Sequence, residues 1–175
     1  MIDVRAKLVS HQISSVALIG SFRQHYVDVL DALSVFIEVG LKVTTPKGTE
    51  IIKHGIPFVR FESDENGWSD EMVQVAALHR ILRASFVFTV VPNGYVGRTT
   101  CYEIGRVIQA QQPVYFSDRP NDLPLWIPDS HICSARHIAE GFLSGTFRPE
   151  PLHMHVSCTV GELERELLNG NYKPI

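Results

Sequence analysis

Cysteine is scarce: Cys101, Cys133 and Cys158 are odd in number and far apart. They cannot form a disulfide framework and lack zinc-ligand spacing, which points to reduced thiols in a cytosolic protein. A dominant charge is lacking as well. The net charge is −3 with scattered basic residues, which excludes the continuous positive face that a long nucleic acid requires. No run approaches the ~20 apolar residues of a membrane span. The opening stretch MIDVRAKLVSHQ has no apolar signal-peptide core. Repeats, low-complexity tracts and linkers are missing too. The 175 residues therefore read as a single domain, with a core of about 14–117 and a C-terminal extension of about 118–175 packing on it.

What is present alternates between two periods. Val16-Ala17-Leu18-Ile19-Gly20 is a continuous apolar run, as in a parallel strand buried on both faces. Residues 23–39 follow with Val27, Leu30, Leu33 and Ile37 at helical spacing, and Gly40 stops them. Residues 41–45 read as the next strand, completing a βαβ unit. Residues 56–61 suggest a short edge strand. Ser69 or Asp70 is placed to cap a helix running to about Ala84, with Met72, Val75, Ala76, Leu78, Ile81 and Leu82 in period. Residues 85–91 are the clearest strand, stopped by Pro92. A helix over about 100–111, with Ile104, Val107 and Ile108 inward, and a strand at 113–116 come next. Beyond lie a loop rich in Pro and Asp (118–128), a short helix near 138–143 and an alternating segment, Leu152, Met154 and Val156, that suggests a late strand. A final helix covers 159–169, with a Thr159–Glu162 capping box and Gly170 as its stop. The fold class is α/β: a flavodoxin-like or Rossmann-like open, mostly parallel sheet with helices on both faces.

Ligands of such sheets sit beyond the carboxyl ends of the strands. Two strand ends carry special chemistry and are expected to be neighbours: Gly20-Ser21-Phe22-Arg23, and residues 92–100 with Gly94, Tyr95, Gly97, Arg98, Thr99 and Thr100. Glycine lets a ligand approach the backbone closely. A helix start offers unpaired N–H groups, two threonines add hydroxyls, and Arg98 adds a cation. Together they suit a phosphate, a carboxylate or a sugar hydroxyl. Neither Rossmann nor Walker spacing occurs, so no cofactor is expected. Arg23 is expected in the first turn of its helix, against the dipole, where an anion would account for it. Thr100 and Glu103 have capping-box spacing, and a glutamate near a helix start ionises readily, as a carboxylate nucleophile requires. Gly105, inside that helix, costs ~1 kcal/mol against alanine and marks a close approach to another element or subunit. His79 lies on the preceding helix. His153 and His155, two apart, read as structural, and no metal site is expected.

The Gly20-Ser21-Phe22-Arg23 turn, the Gly94-Tyr95-Val96-Gly97 loop and Tyr102-Glu103-Ile104-Gly105 resemble the nucleoside 2-deoxyribosyltransferase superfamily, which includes deoxynucleoside-monophosphate N-glycosidases. The resemblance spans residues 16–116. It implies cleavage or transfer of the N-glycosidic bond of a (deoxy)nucleoside or its 5′-monophosphate through a covalent glutamyl–sugar intermediate. Glu103 falls in the nucleophile's place. Ser21 and Arg23, with Thr99 or Thr100, fall where phosphate is held. Homodimers or higher assemblies are implied too. Where many members carry an aspartate at a strand start, this chain has Ser85. Where a helical carboxylate orients the sugar it has Val75-Ala76-Ala77-Leu78-His79, leaving His79, Asp64 or Asp70 to fill that role. Two alternatives stand beside this reading. One is a cytokinin-type nucleoside-monophosphate phosphoribohydrolase, whose tight Gly-Gly-x-Gly-Thr loop is missing here. The other is a nucleotide-binding or sensing module without catalysis.

Overall fold

Six residues in a row, Ser15–Gly20, are buried and form strand β1, as their unbroken apolar character dictates. A computed structural model of the chain describes residues 13–47, 51–53, 60–61, 67–154 and 158–172. In chain order the elements are β1, α1 (Tyr26–Glu38), β2 (Lys42–Thr45), β3 (Ile51–Lys53), β4 (Arg60–Phe61), α2 (Asp70–Leu82), β5 (Phe86–Val90), α3 (Arg98–Gln109), β6 (Val114–Phe116), α4 (Ala135–Leu143) and α5 (Thr159–Leu168). Four strands form one parallel sheet in the order β2-β1-β5-β6. Strands β3 and β4 pair antiparallel, apart from it. The edge strand suggested at 56–61 is thus met by Arg60 and Phe61; residues 54–59 lie outside the described residues.

Side chains alternate across β1 and build two cores. Val16 and Leu18 join Val29 and Phe36 of α1 and Ile138 of α4 on one face. Ala17 and Ile19 join Leu78 and Ile81 of α2 and Ile104 and Val107 of α3 on the other. Helices therefore cover both faces, as a parallel sheet needs. The stripe that α1 buries differs from the expected one: Val29, Ala32 and Phe36 are inside, while Val27 and Ile37 are exposed. The Phe36 ring meets Phe86 and Phe88 edge-on at 5.9 and 5.3 Å, and this aromatic burial outweighs that of two aliphatic side chains. Likewise α2 buries Val73, Leu78 and Ile81 and exposes Met72 and Val75.

One expected cap forms and another does not. Ser69, not Asp70, caps α2, its hydroxyl accepting the Met72 N–H at 3.3 Å. The Thr159–Glu162 box is not formed: Thr159 is already helical, and Cys158 holds the cap position without a side-chain bond. No strand forms at 152–154, which is a turn; residues 155–157, with His155, lie outside the described residues. His153 is buried there, its ring stacked on Trp126 at 6.1 Å and its Nε2 3.4 Å from the Trp126 carbonyl. The three cysteines are unpaired, and among the described residues no helix is long and apolar enough to cross a membrane.

Ser85 sits at the amino end of β5, opposite the strand ends that would bind a ligand. Its Oγ accepts the N–H groups of Ser14 and Ser15 at 3.1 and 3.3 Å, and Ser15 Oγ accepts the Ser85 N–H at 3.2 Å. The pair clamps the start of β1 to β5. Ser85→Ala is expected to cost about 1–2 kcal/mol in equilibrium denaturation, without altering ligand binding. An unchanged midpoint would show that the clamp contributes nothing.

Candidate functional site

The chain leaves β1 for β2 on one side and returns to β5 on the other. This is the switch point at which the carboxyl ends of a doubly wound sheet open a crevice. A cavity of about 590 Å³ lies there, within the usual size of a small-molecule site. Gly20 permits the two strands to end so close together, since a Cβ on it would lie 2.7 Å from the Val90 carbonyl oxygen. The two segments singled out in the sequence meet: a Cβ on Gly97 would sit 3.7 Å from Ser21 Oγ. Gly20, Ser21, Phe22, Arg23, Tyr95, Gly97, Arg98, Thr99, Thr100 and Glu103 all line the cavity.

Arg23 reaches the cavity by a different route from the one expected. The Ser21 carbonyl accepts the N–H groups of Gln24 and His25 at 3.1 and 2.8 Å, closing a turn, and α1 begins only at Tyr26. Arg23 thus belongs to the turn before the helix, and no dipole penalty applies. Helix α3 begins at Arg98 with Gly97 as its cap and no capping side chain. Its first N–H groups, flanked by Arg98 and Thr99, border the cavity, an arrangement suited to an anion.

The capping-box reading of Thr100 and Glu103 is overturned. With the cap at Gly97, both residues lie inside the helix and are buried: Thr100 is 2% exposed and Glu103 8%. Glu103 Oε1 accepts a hydrogen bond from Gln74 Nε2 of α2 at 3.0 Å. Nor does the carboxyl ionise readily. Loss of hydration on burial pushes its pKa up to about 7, against a smaller lowering by the Gln74 bond. A second-turn glutamate between two helices pays for desolvation and gains little from the dipole, which fades within the first turn.

Two expected site residues fall elsewhere. His79 is exposed on α2 and does not border the cavity, because Gln74, Ala77 and Ile81 form the stripe that faces it. Gly94 stands behind the loop: its φ is +75°, and a Cβ there would lie 2.5 Å from Asn121 Nδ2 and 2.6 Å from the Arg119 carbonyl oxygen. Asn121 braces this turn, its amide donating to the Asn93 carbonyl at 2.9 Å and its N–H to the Gly94 carbonyl at 3.0 Å. Asp70, the first residue of α2, is exposed and outside the cavity, and Asp64 lies outside the described residues. Gly105 packs against nothing among the described residues, since a Cβ there would meet none of their atoms within 4 Å.

Sequence reasoning missed Thr45 at the end of β2, Pro46 and Lys47 after it, and Gln74 and Arg80 on α2, all of which line the cavity. For Gln74 a signal existed. It shares i, i+3, i+7 spacing with Ala77 and Ile81, and a polar residue on an apolar stripe is the informative exception. No protein-family model matches the chain, and no curated protein matches it.

Proposed function

We propose that the chain is a nucleoside 2-deoxyribosyltransferase-like enzyme acting on the N-glycosidic bond of a (deoxy)nucleoside 5′-monophosphate. The observation that carries this reading is a single one. The buried Glu103 carboxyl borders a cavity also lined by Arg23, Lys47, Arg80 and Arg98, although the chain as a whole is acidic. A cationic lining at a helix N-terminus favours a phosphate, and a buried carboxylate suits attack on the sugar it anchors.

In this mechanism the ionised Glu103 attacks C1′. The C1′–N bond breaks with its electron pair passing to the base, through an oxocarbenium-like transition state, leaving a glutamyl–sugar ester. Water or a second base then attacks C1′ and frees the carboxylate. Ser21, Thr99 and Arg23 hold the phosphate, and the loop through Tyr95 lies beside the sugar and base. The proposal extends to a homodimer or higher assembly, supported by exposed Met72 and Val75 on α2 and Tyr102 on α3. A non-catalytic nucleotide-binding module draws support from the raised Glu103 pKa, because a neutral carboxyl binds without attacking.

A panel of nucleosides and 5′-monophosphates, run with and without an acceptor base and read as free base by chromatography, separates these readings. Base release from at least one monophosphate is expected, and exchange with the acceptor would mark a transferase. No release from any member would rule out the enzyme. Arg23→Ala is expected to weaken monophosphates at least about tenfold more than nucleosides; equal weakening would remove Arg23 from the phosphate site.

A further inference from the structure

Gln74 of α2 is the only hydrogen-bond partner of the Glu103 carboxyl among the described residues, and both side chains line the same cavity. The glutamine is an expensive residue at this place. Its Nε2 donates to Glu103, while its Oε1 is buried with no hydrogen-bond partner among the described residues. A buried unmatched carbonyl carries a full desolvation cost, which leucine or methionine of similar size would avoid. Such exceptions call for an account, and packing does not supply one, since Val73, Leu78 and Ile81 already seat the helix.

We infer that Gln74 is the positioning residue of this site, holding the Glu103 carboxylate toward the cavity through its amide donor. The inference rests on the nucleophile reading for its catalytic consequence, but the hold on the carboxyl can be measured without substrate. A donor aimed at a carboxylate stabilises the charged form. The other charged groups around the cavity are Arg23 from the turn after β1, Lys47 after β2, Arg80 on α2 and Arg98 at the start of α3. None of these replaces the amide contact, so loss of the Gln74 donor exposes the full effect of burial.

The test is Gln74→Met, which keeps length and removes the donor. The carboxyl of Glu103 is titrated by carbon NMR in the ligand-free protein, its signal assigned by its absence in Glu103→Gln. The midpoint is expected to rise by about one pH unit from about 7 in the wild type. The acid limb of base release should move with it. Wild type then exceeds the variant roughly tenfold at pH 6, and the ratio falls toward one above pH 9. A packing role would instead lower the rate equally at every pH and leave the titration in place, and that result overturns the inference. A midpoint that moves while no substrate releases base supports the hold by Gln74 and removes the nucleophile reading.

Discussion

Glu103→Gln is expected to abolish base release and, at the same time, to stabilise the protein above pH 7. The carboxyl is buried, and burial raises its pKa from an ordinary 4.5 to about 7 in the folded chain. Below pH 4.5 both folded and unfolded chains carry it protonated, and burial costs nothing. Between these values the unfolded chain sheds the proton while the folded chain retains it, so stability falls as pH rises. Above about 7 the folded chain must bury the charge, and the loss is complete. The span corresponds to a penalty on the order of 3 kcal/mol. A neutral amide avoids it, less whatever its own unmatched donors cost. Thermal unfolding at pH 8 should place the variant above the wild type by several degrees, with the gap closing toward pH 4.5. Equal melting temperatures at pH 8 would mean that the carboxyl bears no such burden. A residue whose removal strengthens the fold and ends the reaction is one retained for chemistry.

Gly94→Ala carries the second large effect, in the opposite direction. The backbone there is left-handed at φ +75°, which costs an L-residue about 1–2 kcal/mol. The added Cβ would also overlap Asn121 Nδ2 and the Arg119 carbonyl oxygen, at 2.5 and 2.6 Å. The second contact is with backbone and cannot be relieved by a rotamer, so overpacking adds about 1–3 kcal/mol. A loss on the order of 3 kcal/mol is expected in denaturant titrations, together with weaker ligand binding as the loop shifts. Gly105→Ala is the control. Its Cβ meets no atom of the described residues within 4 Å, so it should gain up to about 1 kcal/mol from helix propensity. If both substitutions behave alike, the brace by Asn121 does not hold the loop.

The frame was readable from local pattern. Unbroken apolar runs at β1 and β5 identify buried parallel strands, and the two loops that follow them meet because sheet topology leaves them no other place. What was not readable depends on partners distant in sequence. Thr100 and Glu103 have the spacing of a cap, but a cap is defined by where the helix begins, and Gly97 begins it three residues earlier. His79 and Gln74 lie on one helix, and only the stripe chosen by packing decides which reaches the cavity. In α1 two apolar stripes competed, and the one bearing Phe36 won through rings supplied by β5. Gly105 shows the limit of composition: its cost inside a helix is certain, while its reason is not found within the described part of this chain.

The brace behind the glycine turn has a consequence for biosynthesis. Every residue seen to line the cavity lies at or before position 103, so a nascent chain of 117 residues would already hold the whole set. Asn121 would still be missing, as would Arg119, whose guanidinium bonds the Ile127 carbonyl and Asp129 to fasten that loop. During synthesis the site's parts precede its assembly: the turn at Asn93 and Gly94 acquires its backing only when the segment around 119–129 has emerged.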